Sequence, residues 1–236
     1  MALNPASVLP TPEAKGAFVR DLFERIAPRY DLMNRVLTFG MDQRWRRALV
    51  ASLELPAGAR VLDLATGTGD LVEWLGAAGA RPIGADLARA MLARAAGRNP
   101  GRPFLQADGA ALPLASASVD AVTCGFALRN FSDLDGVLRE CARVLRPGGQ
   151  LAILEVDRPA LPAVRELHGL YFRHLVPRIG AWLSDAQAYR YLPESTAFLP
   201  EDAVLHEKLR RAGFDALDKQ TRLFGAIQAL RAWRAR

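Results

Sequence analysis

The sequence predicts an α/β fold in which a mostly parallel sheet carries helices on both faces. Three observations predict it. Between residues 60 and 156, short apolar runs bounded by Gly, Pro or Asp alternate with stretches whose apolar residues recur at three- and four-residue spacing, the pattern of repeated βαβ units. The first run leads into a glycine-bearing loop, GTGD at 67–70, and ligands of such sheets bind at the carboxyl ends of the strands. A chain of 236 residues is long enough to bury the core of one such domain, alone or with a small cap.

Taken in order, strands are expected at RVLDLA (60–65), RPIGAD (81–86), PFLQAD (103–108), VDAVTCGF (119–126) and GQLAILEV (149–156), each short enough to be a buried strand. GDLVEWLGAA, ARAMLARAA and LDGVLRECARVL are the intervening helices, and RPGG at 146–149 ends the last of them and turns the chain into its strand. Then come a helix-prone insertion (159–192), a helix at 201–213, and two strand-like runs, FDALDKQTRL and AIQALRAW, joined through Phe224 and Gly225 as a terminal hairpin. The organisation expected is a single domain over 1–236. Its parts are an N-terminal helical cap segment (1–59), a cofactor-binding core (60–156), a helical substrate-side insertion (157–200) and the terminal helix and hairpin (201–236).

Composition narrows the classes. No apolar stretch approaches the ~20 residues of a membrane span, and MALNPASVLPTPEAKG lacks the basic start and apolar core of a secretory signal, so a cytoplasmic protein is expected. Cys124 and Cys141 are spaced for neither a zinc knuckle nor a disulfide scaffold and read as two buried thiols. His168, His174 and His206 have no partners at metal-ligand spacing, so no metal is expected. The net charge is +6. Residues 60–155 hold ten Arg against ten acids, whereas 1–59 hold eight basic against six acidic groups and 156–236 thirteen against nine. The basic surplus therefore lies outside the glycine-bearing core, where it could meet an anionic surface.

The loop selects its ligand. A dinucleotide fingerprint needs a third glycine where Val72 stands, and a phosphate-cradling Walker loop needs Lys after Gly69, where the chain has Asp70. An acid at the helix start disfavours phosphate, so a nucleoside without phosphates fits better. S-adenosylmethionine is one, with an ammonium and a sulfonium that favour carboxylates and a ribose diol that an acid ending the second strand can hold. Asp86 ends that strand, 19 positions after Gly67.

VLDLATGTGD, ADLARAML, QADGAALPLASASVDAVTCGFALRNFSDLD and RVLRPGGQLAILE resemble the S-adenosylmethionine-dependent C-methyltransferases of menaquinone and ubiquinone biosynthesis. FERIAPRYDLMNRVLTFGMDQRWRR and YFRHLVPRIGAWLSDAQAYRYLPES extend the likeness to roughly residues 18–230. The last hairpin departs from the family pattern, with Leu223-Phe224-Gly225 where members usually have Gly-Gly or Ala-Gly. The resemblance implies a Rossmann-like class I methyltransferase fold, a seven-stranded mostly parallel sheet with a C-terminal antiparallel hairpin and a helical cap. It implies methylation of a ring carbon on a prenylated quinol, demethylmenaquinol to menaquinol, with 2-methoxy-6-prenyl-1,4-benzoquinol as the alternative substrate. It also implies cofactor contacts at Asp63, Thr66, Gly67, Thr68, Gly69, Asp86, Leu87, Asp108, Gly109 and Gly125, with Asp108 and Gly109 beside the adenine.

Residue chemistry supplies the rest. In methyl transfer from a sulfonium the positive charge disappears as the bond forms, so proximity and desolvation carry much of the rate. A hydroquinone carbon becomes nucleophilic when its hydroxyl loses a proton. Arg129 and Asn130, just past the fourth strand, are the expected catalytic residues: Arg129 to stabilise the phenolate or, as the family resemblance implies, to align the water that takes the proton, and Asn130 to orient the ring oxygen. Tyr30, with Asp31, is expected to fold over the cofactor, and Tyr189 and Tyr191 to close the site from the insertion. Phe18, Leu22, Phe23 and Ile26 recur at helical spacing, as a helix packed on the core or as an interfacial helix that admits a prenyl tail at an anionic membrane. An RNA methyltransferase is disfavoured because no basic and aromatic stripe accompanies the charge, and no nucleic-acid partner is expected. A non-catalytic S-adenosylmethionine-binding module is disfavoured by the intact LRN and AYRYLPES stretches. The oligomeric state is open.

Overall fold

The computed structural model of the protein describes residues 9–157, 159, 166, 190, 191 and 194–236. Five parallel strands lie where the apolar runs predict them: β1 (Arg60–Leu64), β2 (Arg81–Asp86), β3 (Phe104–Gln106), β4 (Val119–Gly125) and β5 (Leu145–Val156). β6 (Phe214–Arg222) and β7 (Ile227–Arg234) form the terminal antiparallel hairpin. The sheet order is β3-β2-β1-β4-β5-β7-β6, so the last strand enters between β5 and β6 and runs antiparallel to both. Composition accounts for that choice. β7 offers Ile227, Leu230 and Ala232 to the core, whereas β6 carries Asp215, Asp218, Lys219 and Gln220, side chains suited to a protected edge.

The sheet is buried on both faces, which is why its strands read as near-continuous apolar runs. Leu62, Val122, Leu151 and Ile153 face α6 (Leu134–Val144) and α7 (Asp202–Ala212), with Leu138 and Leu209 packed into the same cluster. Val61, Ala121, Ala152 and Leu154 face α3 (Met41–Ala51) and α4 (Asp70–Ala77), with Leu49 and Leu75. Both cysteines are free and buried, and burial pushes the Cys141 thiol up to about 12. The RPGG turn falls as expected, but pairing already starts at Leu145: Val119 pairs with Leu145 and Ala121 with Gln150, so Arg146–Gly149 bulges from the ladder.

The N-terminal segment takes the first of the two readings its apolar spacing allows: α1 (Lys15–Ile26) is a helix packed on the core. Leu22 and Ile26 are buried against Met91 of α5 (Arg89–Arg98), and Phe18 and Phe23 pack on the same cluster, because α5 presents an apolar face there. Glu24 fastens the contact by accepting from the Arg89 and Ala90 N–H groups at the start of α5. Within the N-terminal segment the exposed large apolar side chains sit on α2 (Tyr30–Thr38) and just past it, with Leu32 54% exposed, Val36 39% and Phe39 76%; Val204, Leu217, Leu223 and Phe224 are exposed elsewhere. Tyr189 and most of the 159–192 insertion lie outside the described residues.

Candidate active site

A cleft opens over the carboxyl ends of β1, β2 and β4, with about 840 Å³ of non-protein space that is partly continuous with solvent. Two strand ends beneath it are strained. Ala65 (φ 52) and Phe126 (φ 59) adopt left-handed backbone, which side-chain-bearing residues rarely hold, and both line the cleft. Gly67, Asp86, Leu87, Asp108, Gly109 and Gly125 line it as well, as do Tyr30 and Asn130.

Four of the expected cofactor residues lie behind this wall and support it. Asp63 is buried, and its carboxylate accepts from Thr66 Oγ1 at 2.6 Å and Thr123 Oγ1 at 2.7 Å. Burial lifts its pKa to about 6 against the pull of those two hydroxyls. Thr66 is thereby turned inward. Thr68 is buried and donates to Asp31 of α2. Gly69 holds φ +87 at the start of α4, where a Cβ would stand 2.7 Å from Asn99 Nδ2, so only glycine fits.

Asp86 is bound to the glycine loop itself. Its Oδ2 accepts the Gly67 N–H and its Oδ1 the Ala88 N–H, both at 2.8 Å, and these bonds partly offset the burial that raises its pKa. The carboxylate that ends β2 therefore also shapes the loop that ends β1.

Of the acids the sequence places near the ligand, Asp86 and Asp108 line the cleft and Asp70 does not. Asp70 does not face a ligand. It is buried among arginines, accepting from Arg35 at 3.0 Å and Arg98 at 2.8 Å, with Arg46 Nε 3.5 Å away. Although burial opposes it, Arg46 and Arg35 hold its carboxyl below the usual range. Asp70 is thus the knot that ties the cap to the core, joined by Asp42, which pairs with Arg35 and Arg46. Among the described residues lining the cleft the charged ones are Asp86, Asp108 and Asp133, three acids and no base. Asp133 was not singled out by sequence, because its spacing marks it only as the N-cap of α6, where it accepts from the Gly136 N–H at 2.8 Å. Nor were Gly16 and Val19 of α1, whose helical pattern shows an apolar face but not what it covers; Phe23, named for that pattern, lines the cleft with them.

That donor set fits S-adenosylmethionine. A cationic ligand without phosphates is favoured by three carboxylates, and the apolar walls of Leu87, Met91, Phe131 and Val137 around Gly109 suit a purine ring. Asp86 would hold the ribose, Asp108 the adenine edge, and the Gly67 turn the amino-acid end.

Arg129 is turned away from the cleft. It lies in a buried turn (Leu128–Asn130) where its guanidinium pairs with Glu155, donates to Phe126 O at 3.0 Å and donates from Nε to Ser195 Oγ at 3.1 Å. Its neighbour Asn130 reaches the cleft, and Tyr191 donates from its hydroxyl to Asn130 Oδ1 at 3.1 Å. The LRN and AYRYLPES stretches, more than sixty positions apart, thus meet through two side-chain hydrogen bonds. Tyr191 is fully buried in the cluster beneath α1 and does not border the cleft. Tyr30 does border it, its ring 5.8 Å from that of Phe23, and burial raises its hydroxyl pKa, so it is a donor at neutral pH.

The sheet order, the glycine loop and the acid-lined cleft define a Rossmann-like S-adenosylmethionine-dependent methyltransferase. Haemonchus contortus phosphoethanolamine N-methyltransferase 2, solved with phosphomonomethylethanolamine and S-adenosylhomocysteine, shares the fold with a TM-score of 0.66 at 16% identity, covering 92% of this chain and 60% of that one. The chain belongs to the ubiE/COQ5 methyltransferase family, which it matches over residues 11–234. It is similar to the ubiquinone/menaquinone biosynthesis C-methyltransferase UbiE of Syntrophotalea carbinolica, 44% identical over 205 residues, 84% of this chain and 86% of that protein. It is also similar to the demethylmenaquinone methyltransferase of Thermus thermophilus, 46% identical over 200 residues, 82% of this chain and 91% of that one.

Proposed function

We propose that the chain methylates a ring carbon of a prenylated quinol, converting demethylmenaquinol to menaquinol. The observation that carries this reading is 44–46% identity to proteins named for quinone C-methylation, and the cleft is consistent with it. The cofactor supplies an electrophilic methyl group on a sulfonium. The chain supplies position, exclusion of water and stabilisation of the ring oxygen. Tyr30 and Asn130 border the cleft with hydrogen-bonding side chains, and Phe23, Val19 and Phe126 give apolar surface for the ring. A hydroxyl of phenol type ionises near pKa 10, so donors at that oxygen raise the fraction of nucleophilic phenolate at neutral pH. In this reading Arg129 acts through the turn it holds, by fixing Asn130 against the cleft.

No helix of the described residues is long and apolar enough to cross a membrane. We infer that the chain meets its lipid substrate at a bilayer surface through α2. Leu32 and Val36 share an exposed face of α2 at i and i+4 and Phe39 stands exposed at its C-cap, and Arg25, Arg29 and Arg44 are exposed in the same segment, where they suit anionic headgroups.

Radiolabelled S-adenosylmethionine decides the substrate. With demethylmenaquinol in a lipid extract, label is expected in menaquinol. Label in methoxybenzoquinol alone, or in total RNA, overturns the assignment. For the surface, Phe39→Ser should lower sedimentation with anionic liposomes several-fold at low salt, with neutral liposomes as the control; unchanged binding removes α2 from the contact.

A further inference from the structure

Tyr191, hydrogen-bonded to Asn130, has no part in the reaction as described. Tyr191 lies among Leu22, Met33 and Met91, its ring 5.3 Å from that of Phe18, with its hydroxyl on Asn130 Oδ1 at 3.1 Å. A side-chain amide has two ends of similar size, one acceptor and one donor. An asparagine beside a substrate oxygen can therefore stabilise either its protonated or its ionised form, depending on which end it presents. We infer that Tyr191 is a positioning residue that locks the Asn130 amide with its carbonyl inward and its NH2 group toward the ring oxygen of the quinol, making Asn130 a dedicated hydrogen-bond donor to the phenolate.

The physical case rests on the hydroxyl hydrogen of Tyr191. In a fully buried apolar cluster it needs an acceptor, and among the described residues Asn130 Oδ1 is the one it meets. A flipped amide would use the hydroxyl as an acceptor and leave that hydrogen facing methyl and thioether groups, a costly arrangement. Burial also pushes the Tyr191 hydroxyl up to about 12, so it stays a donor wherever the enzyme works. This rules it out as a base and gives it the opposite duty. With Oδ1 held, the amide NH2 is the polar end left for the cleft, which Asn130 lines. Two donors to a ring oxygen, Asn130 and Tyr30, would then favour the charge that must develop there.

This inference rests on the quinol reading of the same site, and its test separates the two. Tyr191→Phe keeps the ring and its contact with Phe18. In that variant kcat for quinol methylation should fall about tenfold at pH 7, with the KM for S-adenosylmethionine unchanged and the deficit shrinking as pH rises. In an Asn130→Ala background the same substitution should change kcat by less than about twofold. A second readout needs no turnover: 1-naphthol bound beside S-adenosylhomocysteine should ionise, by its absorbance, about one pH unit higher in Tyr191→Phe than in the unaltered protein. If Tyr191→Phe does not fold, Asn130→Asp, which replaces the donor with an acceptor, should raise the naphthol ionisation in the same direction. Unchanged naphthol ionisation in the folded variants, or an equal fractional loss of kcat with and without Asn130, overturns the inference. Failure of the unaltered protein to methylate the quinol, with the naphthol shift intact, overturns only the substrate.

Discussion

The two walls of the cleft are built by different means. The strand-end wall, Gly67, Asp86, Leu87, Asp108 and Gly109, comes from a stretch of some forty residues and is held by bonds that backbone N–H groups of that stretch make within it. Gly67 and Ala88 N–H groups bind Asp86, Thr66 N–H binds Ala85 O at 2.9 Å, and Ala110 N–H binds Asp108 at 2.9 Å. The opposite wall joins α1 and α2 to the Leu128–Asn130 turn, and side chains from remote segments hold it. Lys15 Nζ donates to Phe131 O at 2.8 Å, Arg35 and Arg98 converge on Asp70, and Tyr191 reaches Asn130. Bonds within one short stretch form as its strand ends form, whereas contacts between charged side chains from remote segments are weakened by salt. The first wall is thus suited to holding a cofactor of constant shape, and the second to admitting and closing over a bulky substrate.

The sharpest way to break the second wall is at Arg129. Arg129→Ala leaves Glu155 buried without its partner, and such a loss costs about 3–5 kcal/mol. Chemical denaturation should show it, while S-adenosylmethionine affinity measured by calorimetry in the folded fraction stays within about twofold. Arg129→Met with Glu155→Leu should regain most of the stability but not the turnover, because the turn carrying Asn130 is no longer tied to Ser195. Full turnover in that double variant would mean the turn needs no such tie.

Under the first wall, Asp63 provides a test by pH. Its folded pKa of about 6 lies above the ~3.9 of an unfolded aspartate, so the folded state holds the extra proton between those values. Stability then falls as pH rises from about 4 to about 6, by about 3 kcal/mol, and the cost is fully present above that window. Asp63→Asn should flatten that segment of the melting profile, a difference that thermal scans from pH 4 to 7 would reveal; parallel profiles would refute it.

Asp86→Ala should weaken S-adenosylmethionine binding about 30- to 100-fold, since charge-assisted hydrogen bonds contribute about 1.5–3 kcal/mol each. Because Asp86 also ties down Gly67, Asp86→Asn, which retains one acceptor, should recover part of the affinity. Equal affinities for all three proteins would detach β2 from the cofactor. The smallest effect is expected at Asp70→Asn, about 1–2 kcal/mol. It should appear as a raised KM for the quinol that is insensitive to salt, whereas the unaltered protein, its partly exposed arginines screened, should approach that KM as salt rises.

Much of this was legible in the residues. Apolar runs and their spacing reveal strands and helices because burial on a regular element repeats with that element's period, and β1 to β5 lie where those runs stand. GTGD announces a tight turn into a helix, and Asp86 and Gly109 follow at strand ends, so the strand-end wall was readable from local sequence. The tertiary structure decided the rest. Composition marks the second strand of the hairpin as the inner one, but that it joins β5, and antiparallel, is set only in the assembled sheet. The amphipathic face of α1 could as well have met lipid as α5 until α5 stood beside it. Asp70 reads as an acid near the ligand, yet three arginines, from α2, α3 and α5, enclose it, and the acids that do border the cleft come from β2, the loop after β3 and the start of α6. Arg129 reads as a side chain at the substrate, yet Glu155, 26 positions on and buried at the end of β5, draws it inward. Chain period encodes which side of an element is buried. What it is buried against depends on partners tens of residues away, whose charges and hydrogen bonds exist only once the sheet has assembled.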